Sequence, residues 1–425
     1  MSFRDVLGNR EFAALWGAGA LSNIGSSIHS ITVIWVAYTL TNDPRLVALV
    51  ALATLVPDLV FSIPAGTFVD RFNRKWILIL ADLVRAVAVA TLPALLFTGR
   101  DGVLIPVLVG VSVVEGLMAA FVTPARSAVV PTIVHDDHLD AANGLLQLSN
   151  SFSRVFYLVG GGVIAVVGPA GAFGLNAGSF AVSAGILFFG LSSGLRVSNS
   201  SSSDETTRYS RVVSDAKSGL SFIFRTPVVL SVVFLSVLAG FAMAPLGVIF
   251  PFFLDGVGLA SSFSFALFYG SIFLGIVVGS LVLGNMNETV TAHRGRLMIA
   301  GLFASGVSLY LTASVVPRFA FPLVSGPVLM VCFGAGIAAI QVPGGTLMQK
   351  SVPDEYRGKV FSVVKTLSLS APPLSIVVAG PLVEASSAST VIILQAAVLF
   401  LASMLLLITP LTGVSGEISP KTAVD

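Results

Sequence analysis

The chain is 425 residues long, 55% hydrophobic and only 10% charged, with a formal net charge of +2 and a mean hydropathy of +0.95. That excludes a water-soluble globular surface, because ordinary soluble domains carry about a quarter charged residues. The single cysteine, Cys332, excludes an internal disulfide and any cysteine cluster for metal or redox chemistry.

Breaking the chain at Pro, Gly, Asn and charge clusters predicts twelve apolar spans, at 12–40, 46–69, 76–98, 103–124, 141–168, 170–194, 228–254, 262–285, 297–316, 320–348, 360–384 and 389–411. Stretches of about 20 apolar residues cross a hydrocarbon core of about 30 Å as helices, which satisfy their own backbone hydrogen bonds. The first span, Phe12 to Leu40, exceeds the apolar core of a cleaved signal peptide and reads as retained. An even number of spans puts both termini on one side. With that side cytoplasmic, seventeen basic residues fall in inner segments and three, Arg45, Arg100 and Arg318, in outer loops, so the positive-inside rule sets the orientation. Trp16, Trp35 and Trp76 lie near span ends, where indole rings favour the interface.

In chain order, ionisable residues stand near the centres of four spans: His29 in span one, Asp58 in span two, Glu115 in span four and Arg154 in span five. Each charged centre costs about 2.5–3.5 kcal/mol and requires a partner or a polar cavity. Two carboxylates against one guanidinium and a histidine leave one acid over. An acid without a cationic partner in a low dielectric keeps its proton to higher pH, which proton exchange requires. A set of structural ion pairs holding the bundle together is the alternative. Between spans two and three, AGTFVDRFNRK (65–75) crowds Asp70, Arg71, Arg74 and Lys75 into six residues. Such a loop can serve orientation alone, or chemistry at the membrane edge. In span three, Asp82 and Arg85 stand one turn apart and read as an intrahelical pair near the inner edge.

The stretch RVSNSSSSDETTRYSR (196–211) is polar and Ser-rich, which predicts a flexible linker between halves. After it, Val212, Val213, Ala216, Leu220, Ile223 and Phe224 recur at helical spacing opposite Asp215, Lys217 and Arg225, predicting an amphipathic helix on the inner membrane face. The expected organisation is a six-helix bundle over 1–195, a linker with that helix over 196–226, and a second six-helix bundle over 227–425. In the second half, Gly270, Gly275, Gly279 and Gly284 suggest a packing face in span eight. Gln341, Met348, Phe250 and Phe253 are candidates for an amphiphile pocket, and Lys365 either snorkels or faces an anion. The halves echo one another: VHDDHLDAANGLLQLS (134–149) and VPDEYRGKVFSVVKTL (352–367), offset by 218, each precede the fifth span of their half.

The order Gly66-x-x-x-Asp70-Arg71-x-Asn73-Arg74-Lys75 closely resembles the G-x-x-x-D-R-x-G-R-[KR] signature of the major facilitator superfamily, in the same loop. Asn73 replaces the usual Gly, and Asn tolerates left-handed backbone better than most residues. The second-half counterpart, GNMNETVTAHRGR (284–296), keeps Gly284, Arg294 and Arg296 but lacks the Asp-Arg pair. PARSAVVPTIV with LDAANGLLQL and PDEYRGKVFSV is similar to the branch that includes macrolide, siderophore and lysophospholipid exporters or flippases.

The resemblance implies an all-α membrane protein of twelve transmembrane helices in two six-helix halves, working by alternating access. It implies that Gly66, Asp70, Arg71, Arg74 and Lys75 form a cytoplasmic clasp between the halves, Asp70 accepting at a helix N-terminus and Arg71 and Arg74 binding carboxylates or helix ends. It also places spans one, two, four and five around a central cavity, which makes His29, Asp58, Glu115 and Arg154 the proton and substrate pathway. The family's R-x-x-Q-G motif falls on Ser112-x-x-Glu115-Gly116 without its Arg, and G-P-x-x-G-G keeps only Gly161 and Gly162. The expected function is proton-coupled export of small amphiphilic, drug-like molecules by a monomer in the plasma membrane. A lysophospholipid or siderophore carrier, or a non-transporting receptor or scaffold, is the alternative. No phosphate loop, zinc-ligand spacing or nucleophile elbow occurs, so no enzyme activity, cofactor or metal is expected. The basic clusters are loop residues, so neither is a nucleic-acid partner.

Overall fold

A computed structural model of the chain describes residues 6–99, 101–192, 205–286, 293–409 and 411. Arg4, Arg100, Arg196 and Lys421, and the stretches 193–204 and 287–292 of the expected linker and second-half loop, lie outside the described residues. The described elements are helices: α1 Arg10–Thr41, α2 Pro44–Arg71, α3 Arg74–Thr98, α4 Asp101–Ile133, α5 Leu139–Gly190, α6 Glu205–Arg225, α7 Pro227–Met243, α8 Leu246–Gly256, α9 Ser262–Asn285, α10 Arg294–Ser314, α11 Pro322–Ser351, α12 Asp354–Ala385 and α13 Ala388–Leu406, with single 3-10 turns at Asp136–His138 and Val316–Arg318.

Local chemistry fixes the boundaries. The Asn9 side chain accepts from the backbone N–H groups of Glu11 and Phe12 to start α1. Asn42 ends it in the left-handed region at φ 47°, and Asp43 then caps α2, whose first residue is Pro44. Asn73 caps α3 by accepting from Lys75 N–H at 3.0 Å, with its own backbone extended at φ −68°. The Gly-to-Asn departure in the loop signature is therefore explained by helix capping, and Asn73 does not use the left-handed conformation that Asn tolerates.

Ten described helices are long and apolar enough to cross a membrane, or up to eleven when α7 and the adjoining helix are joined. α5 counts once among the ten, yet its 52 residues would run about 78 Å if straight, more than two bilayer cores. It breaks at Gly168, where φ 71° and ψ 172° lie in a region open only to glycine. α1 shows that the chain reverses there. Along the first arm its contacts rise, Trp16 bonding the Leu145 carbonyl and Ile31 lying against Gly160. Along the second they fall, from His29 beside Phe173 to Ala14 against Gly190. α5 thus supplies expected spans five and six. Expected span seven is interrupted between Met243 and Leu246 and continues as α8. The helix set is consistent with the twelve expected spans.

The amphipathic helix is α6. It starts at Glu205, so 205–211 is helical where a flexible linker was expected, and neither Gly nor Pro interrupts 205–218. Its 214–225 portion turns into α7 through 106°, the geometry of a surface helix meeting a span. Ile223 is buried, Phe222 stacks on Tyr356 of α12 at 5.1 Å, and Asp215 pairs with Lys359 at 3.5 Å. Leu220 and Phe224 stay exposed.

The chain forms two compact units: Met1–Ser200 with Leu254–Gly270, and Ser201–Phe253 with Ser271–Asp425. The core of the first includes Phe12, Leu15, Leu78, Val129, Leu145 and Leu187. Within it, the 254–270 segment packs on α1 and α5: Phe265 stacks on Trp35, Tyr269 meets Tyr157 edge-on, and Ser262 Oγ donates to the Gly161 carbonyl at 3.3 Å. In the second unit, Gly275 faces the Val331 carbonyl and Gly334 the Ile272 carbonyl, a reciprocal close approach of α9 and α11. Gly284, expected on that packing face, has nothing within 4 Å of its Cβ position. Phe250, Phe253 and Met348, candidates for an amphiphile pocket, are buried in packing, whereas Gln341 and Lys365 are exposed.

Gly161 and its neighbour give a controlled test of the packing. A Cβ on Gly161 would fall 2.1 Å from the Ser262 carbonyl oxygen, while one on Gly162 would meet nothing within 4 Å. Gly161→Ala is expected to cost about 1–3 kcal/mol and lower the thermal unfolding midpoint in detergent, and Gly162→Ala to leave it unchanged or raise it through helix propensity.

Candidate functional site

The interior of the first unit holds the candidate site. His29 Nε2 of α1 lies 2.8 Å from Glu115 Oε2 of α4, with side chains 3% and 11% exposed. Asn176 of α5 donates from Nδ2 to Glu115 Oε1 at 3.4 Å, and the Phe173 ring meets the imidazole edge-on at 5.3 Å. Small residues bring these helices together. A Cβ on Gly25 would fall within 3 Å of Ser179 and Asn176 side-chain atoms, and one on Gly116 would fall 2.0 Å from the Thr54 carbonyl oxygen. Glu115 is therefore placed by the residue after it, which lets α4 press onto α2. A buried carboxylate against an imidazole can hold one proton on either partner and exchange it without a cofactor.

Of the four span-centre residues, the structure brings together His29 and Glu115. Asp58 is half-buried on α2, and Arg154 is exposed on α5, its charge felt by Tyr269. The pairing, which the sequence leaves open, puts a histidine and an amide on Glu115.

A second buried cluster lies nearer the α2–α3 loop. Asp82 Oδ2 accepts from Ser183 Oγ at 2.6 Å, and Arg85 Nη2 is 3.9 Å from Asp82 Oδ1 while its guanidinium covers the Phe180 ring at 5.0 Å. The expected intrahelical pair is present, and it belongs to a larger group. Arg126, expected in a cytoplasmic loop, lies inside α4, with its guanidinium 2.9 Å from where a Cβ on Gly19 would stand. α4 runs on past expected span four to Ile133 because Pro124 and Pro131 are accommodated within it. Asn176, Ser183 and Arg126 are the site residues that span-centre charge counting misses. Their signal is weak, since a polar residue at helical spacing in an apolar span has no chemistry of its own.

The loop residues divide by role. Asp70 and Arg71 occupy the exposed last turn of α2, and a Cβ on Gly66 would meet nothing within 4 Å. Arg74 donates to the Ala128 carbonyl of α4 at 2.9 Å. Lys75 is buried, and its Nζ donates to the Phe188 carbonyl at 2.8 Å and to that of Leu191. These carbonyls close the C-terminal end of α5, where the helix dipole favours a cation. Asn9 Nδ2 on the Ile133 carbonyl and Ser192 N–H on Glu11 Oε1 stitch the same end.

Long apolar helices and the charged loop signature define a multi-pass membrane protein of the transporter class. The family model described as Major Facilitator Superfamily matches residues 15–376, and the chain belongs to that superfamily. It is 29% identical over 384 residues to "Multidrug efflux pump Tap" of Mycolicibacterium fortuitum, covering 88% of each chain. It is 24% identical over 379 residues to "Macrolide efflux protein A" of Streptococcus pyogenes, covering 87% of this chain and 88% of the other. Among solved structures, a bacterial homologue of the iron transporter ferroportin in its inward-facing state superposes with a TM-score of 0.72 at 14% identity, over 94% of this chain and 98% of that one. A POT family transporter in complex with a thioalcohol-conjugated peptide gives 0.73 at 13%, over 94% and 96%. At these identities the structures define the fold alone.

The Lys75 contacts carry a prediction. Lys75→Met leaves two carbonyls at the end of α5 without their charged donor, a loss of about 1.5–3 kcal/mol, and is expected to lower the thermal unfolding midpoint of the purified protein. An unchanged midpoint would mean the ammonium does not hold that helix end.

Proposed function

We propose that the chain exports small amphiphilic, drug-like molecules from the cytoplasm in exchange for protons, by alternating access. The observation that carries this reading is the buried His29–Glu115 contact at 2.8 Å, a proton-accepting pair enclosed by four helices of one unit. The relatives named for multidrug and macrolide efflux support the direction of transport and the substrate class. Asp58 and Arg154 are assigned to the pathway as polar groups on spans two and five. Asp70 and Arg71, exposed at the end of α2, are assigned to the clasp, and Gly66, Arg74 and Lys75 to its footing. The basic bias of the loops supports a multi-pass protein of the plasma membrane with both termini cytoplasmic. Moving Arg126 from a loop into α4 leaves that bias intact. The working unit is proposed to be a monomer.

Proteoliposomes with an imposed pH gradient and two probes, a fluorescent amphiphilic cation and a macrolide, test the reading. Glu115→Gln is expected to cut gradient-driven flux of a transported probe by tenfold or more while leaving facilitated exchange measurable. Flux that survives unchanged in the Glu115→Gln, Asp58→Asn double variant would remove proton coupling from these acids. Absence of flux for both probes, with uptake of a labelled lysophospholipid or siderophore, would transfer the chain to that substrate class.

A further inference from the structure

The first arm of α5 is amphipathic where the span around Glu115 is not, and it has three distinct faces. Leu145 and Gly160 are buried on the side where Trp16 and Ile31 of α1 lie. Leu148, Phe152 and Val159 are exposed and apolar, a surface for hydrocarbon. Asn143, Gln147, Asn150 and Arg154 are exposed too, yet polar, and their spacing of four, three and four residues stacks them in one stripe. At about 3.6 residues per turn the four fall within about 60° of one another, with Phe152 on the opposite side of the helix. Arg154 is 15 residues from Leu139 and 14 from Gly168, about 20 Å from either end of the arm and too deep to snorkel. An exposed guanidinium at that depth requires water, not lipid, beside it. Beyond Arg154 the same unit closes the stripe: Tyr157 meets Tyr269 edge-on at 5.6 Å, and Gly161, next in register, lies against the Ser262 carbonyl. The result is a wet track of about 17 Å from Asn143 to Arg154 with one closed end. We infer that this track is where the first unit binds its substrate and that Arg154 takes an acidic group of it, so that acidic and zwitterionic amphiphiles are favoured over simple cations. The inference rests on the reading of the chain as an exporter of amphiphiles.

The chemistry of the track follows from what its groups have already spent. Arg154 makes no ion pair or hydrogen bond among the described residues. Glu115 is occupied by His29 and Asn176, and Asp82 by Ser183, so neither neutralises it. A guanidinium without a counter-ion at mid-membrane depth is costly, and a bound anion removes that cost. Its planar fork of donors matches the two oxygens of a carboxylate or phosphate, and a cationic ligand meets only repulsion there. The rest of the stripe is neutral. Asn23 Nδ2 of α1 donates to Asn150 Oδ1 at 2.8 Å, which joins the two helices. That bond spends one N–H and one carbonyl of the amide pair and leaves the other carbonyl and further N–H groups open to a ligand. Gln147, one turn before Asn150, adds a second exposed amide. Neutral donors and acceptors along the track hold the polar body of a substrate regardless of its charge. Charge selection therefore falls to Arg154 alone.

Two measurements on the full-length protein in lipid nanodiscs test this. The first maps water along the arm in a Cys332→Ser background, which removes the single native cysteine. Asn143→Cys, Gln147→Cys and Asn150→Cys are expected to react with a membrane-impermeant maleimide, and Phe152→Cys and Val159→Cys on the opposite face are not. The second titrates a dansyl-labelled alkyl series that differs only in its end group, a carboxylate, a primary amide or a trimethylammonium, with binding to empty nanodiscs subtracted. The carboxylate is expected to bind about tenfold more tightly than the ammonium, the size of one charge-assisted contact. Arg154→Gln is expected to bring that ratio to about one, and Arg154→Lys to restore part of it, because the charge remains and the fork is lost. Gln147→Ala is expected to weaken all three ligands alike and leave the ratio unchanged. A ratio that survives Arg154→Gln, a preference for the ammonium in the original chain, or labelling at Phe152→Cys and Val159→Cys in place of the stripe overturns the inference. Failure of the transport reading is seen separately, as labelling and carboxylate preference intact with no gradient-driven flux of any member of the series.

Discussion

An ionised carboxylate at the centre of a bilayer is tolerated only beside a partner or a polar cavity, at a cost of about 2.5–3.5 kcal/mol where neither is supplied. The first unit meets that condition twice, with His29 and Asn176 at Glu115 and with Ser183 and Arg85 at Asp82. Both arrangements need helix backbones closer than ordinary side chains allow. Gly25 and Gly116 provide the approach at Glu115, and Gly19 leaves room for the Arg126 guanidinium. Gly19, Gly25 and Gly116 are thus explained by the polar groups they make room for.

The second unit follows a different logic. Its close contacts are apolar and reciprocal, as where α9 and α11 exchange glycine-to-carbonyl approaches, and Phe250, Phe253 and Phe333 are fully buried. Its charged contacts gather where α6 meets the start of α12, through Asp215, Lys359 and the Phe222–Tyr356 stack. The duplicated signature marks equivalent places in both halves: 134–149 opens α5 and 352–367 opens α12.

Much of this was legible in the sequence because lipid imposes length and polarity so strictly. Span positions, the helix after the linker and the buried residues His29 and Glu115 follow from apolar run length and from charges that break the runs. Pairing was not legible. Arg154 and Glu115 are both span-centre charges, but facing is set by rotation about each helix axis, and a mostly apolar span has no polar side to reveal it. Arg126 was misplaced because Pro124 reads as a helix end, whereas neighbouring helices inside a bundle support a proline-containing span. Asn73 departs from the family signature without harm, since a cap on α3 needs a side-chain acceptor and glycine has none.

The reversal in α5 uses a single residue, Gly168, with Pro169 following directly. The two arms therefore have no slack between them, and neither can slide or swivel without carrying the other. The first arm bears Gly161, pressed by the Ser262 backbone, and the second bears Asn176 and Ser183 on the two acids. A push felt at one end of this hairpin is delivered to the buried carboxylates as in a bell crank, with a glycine as the pivot.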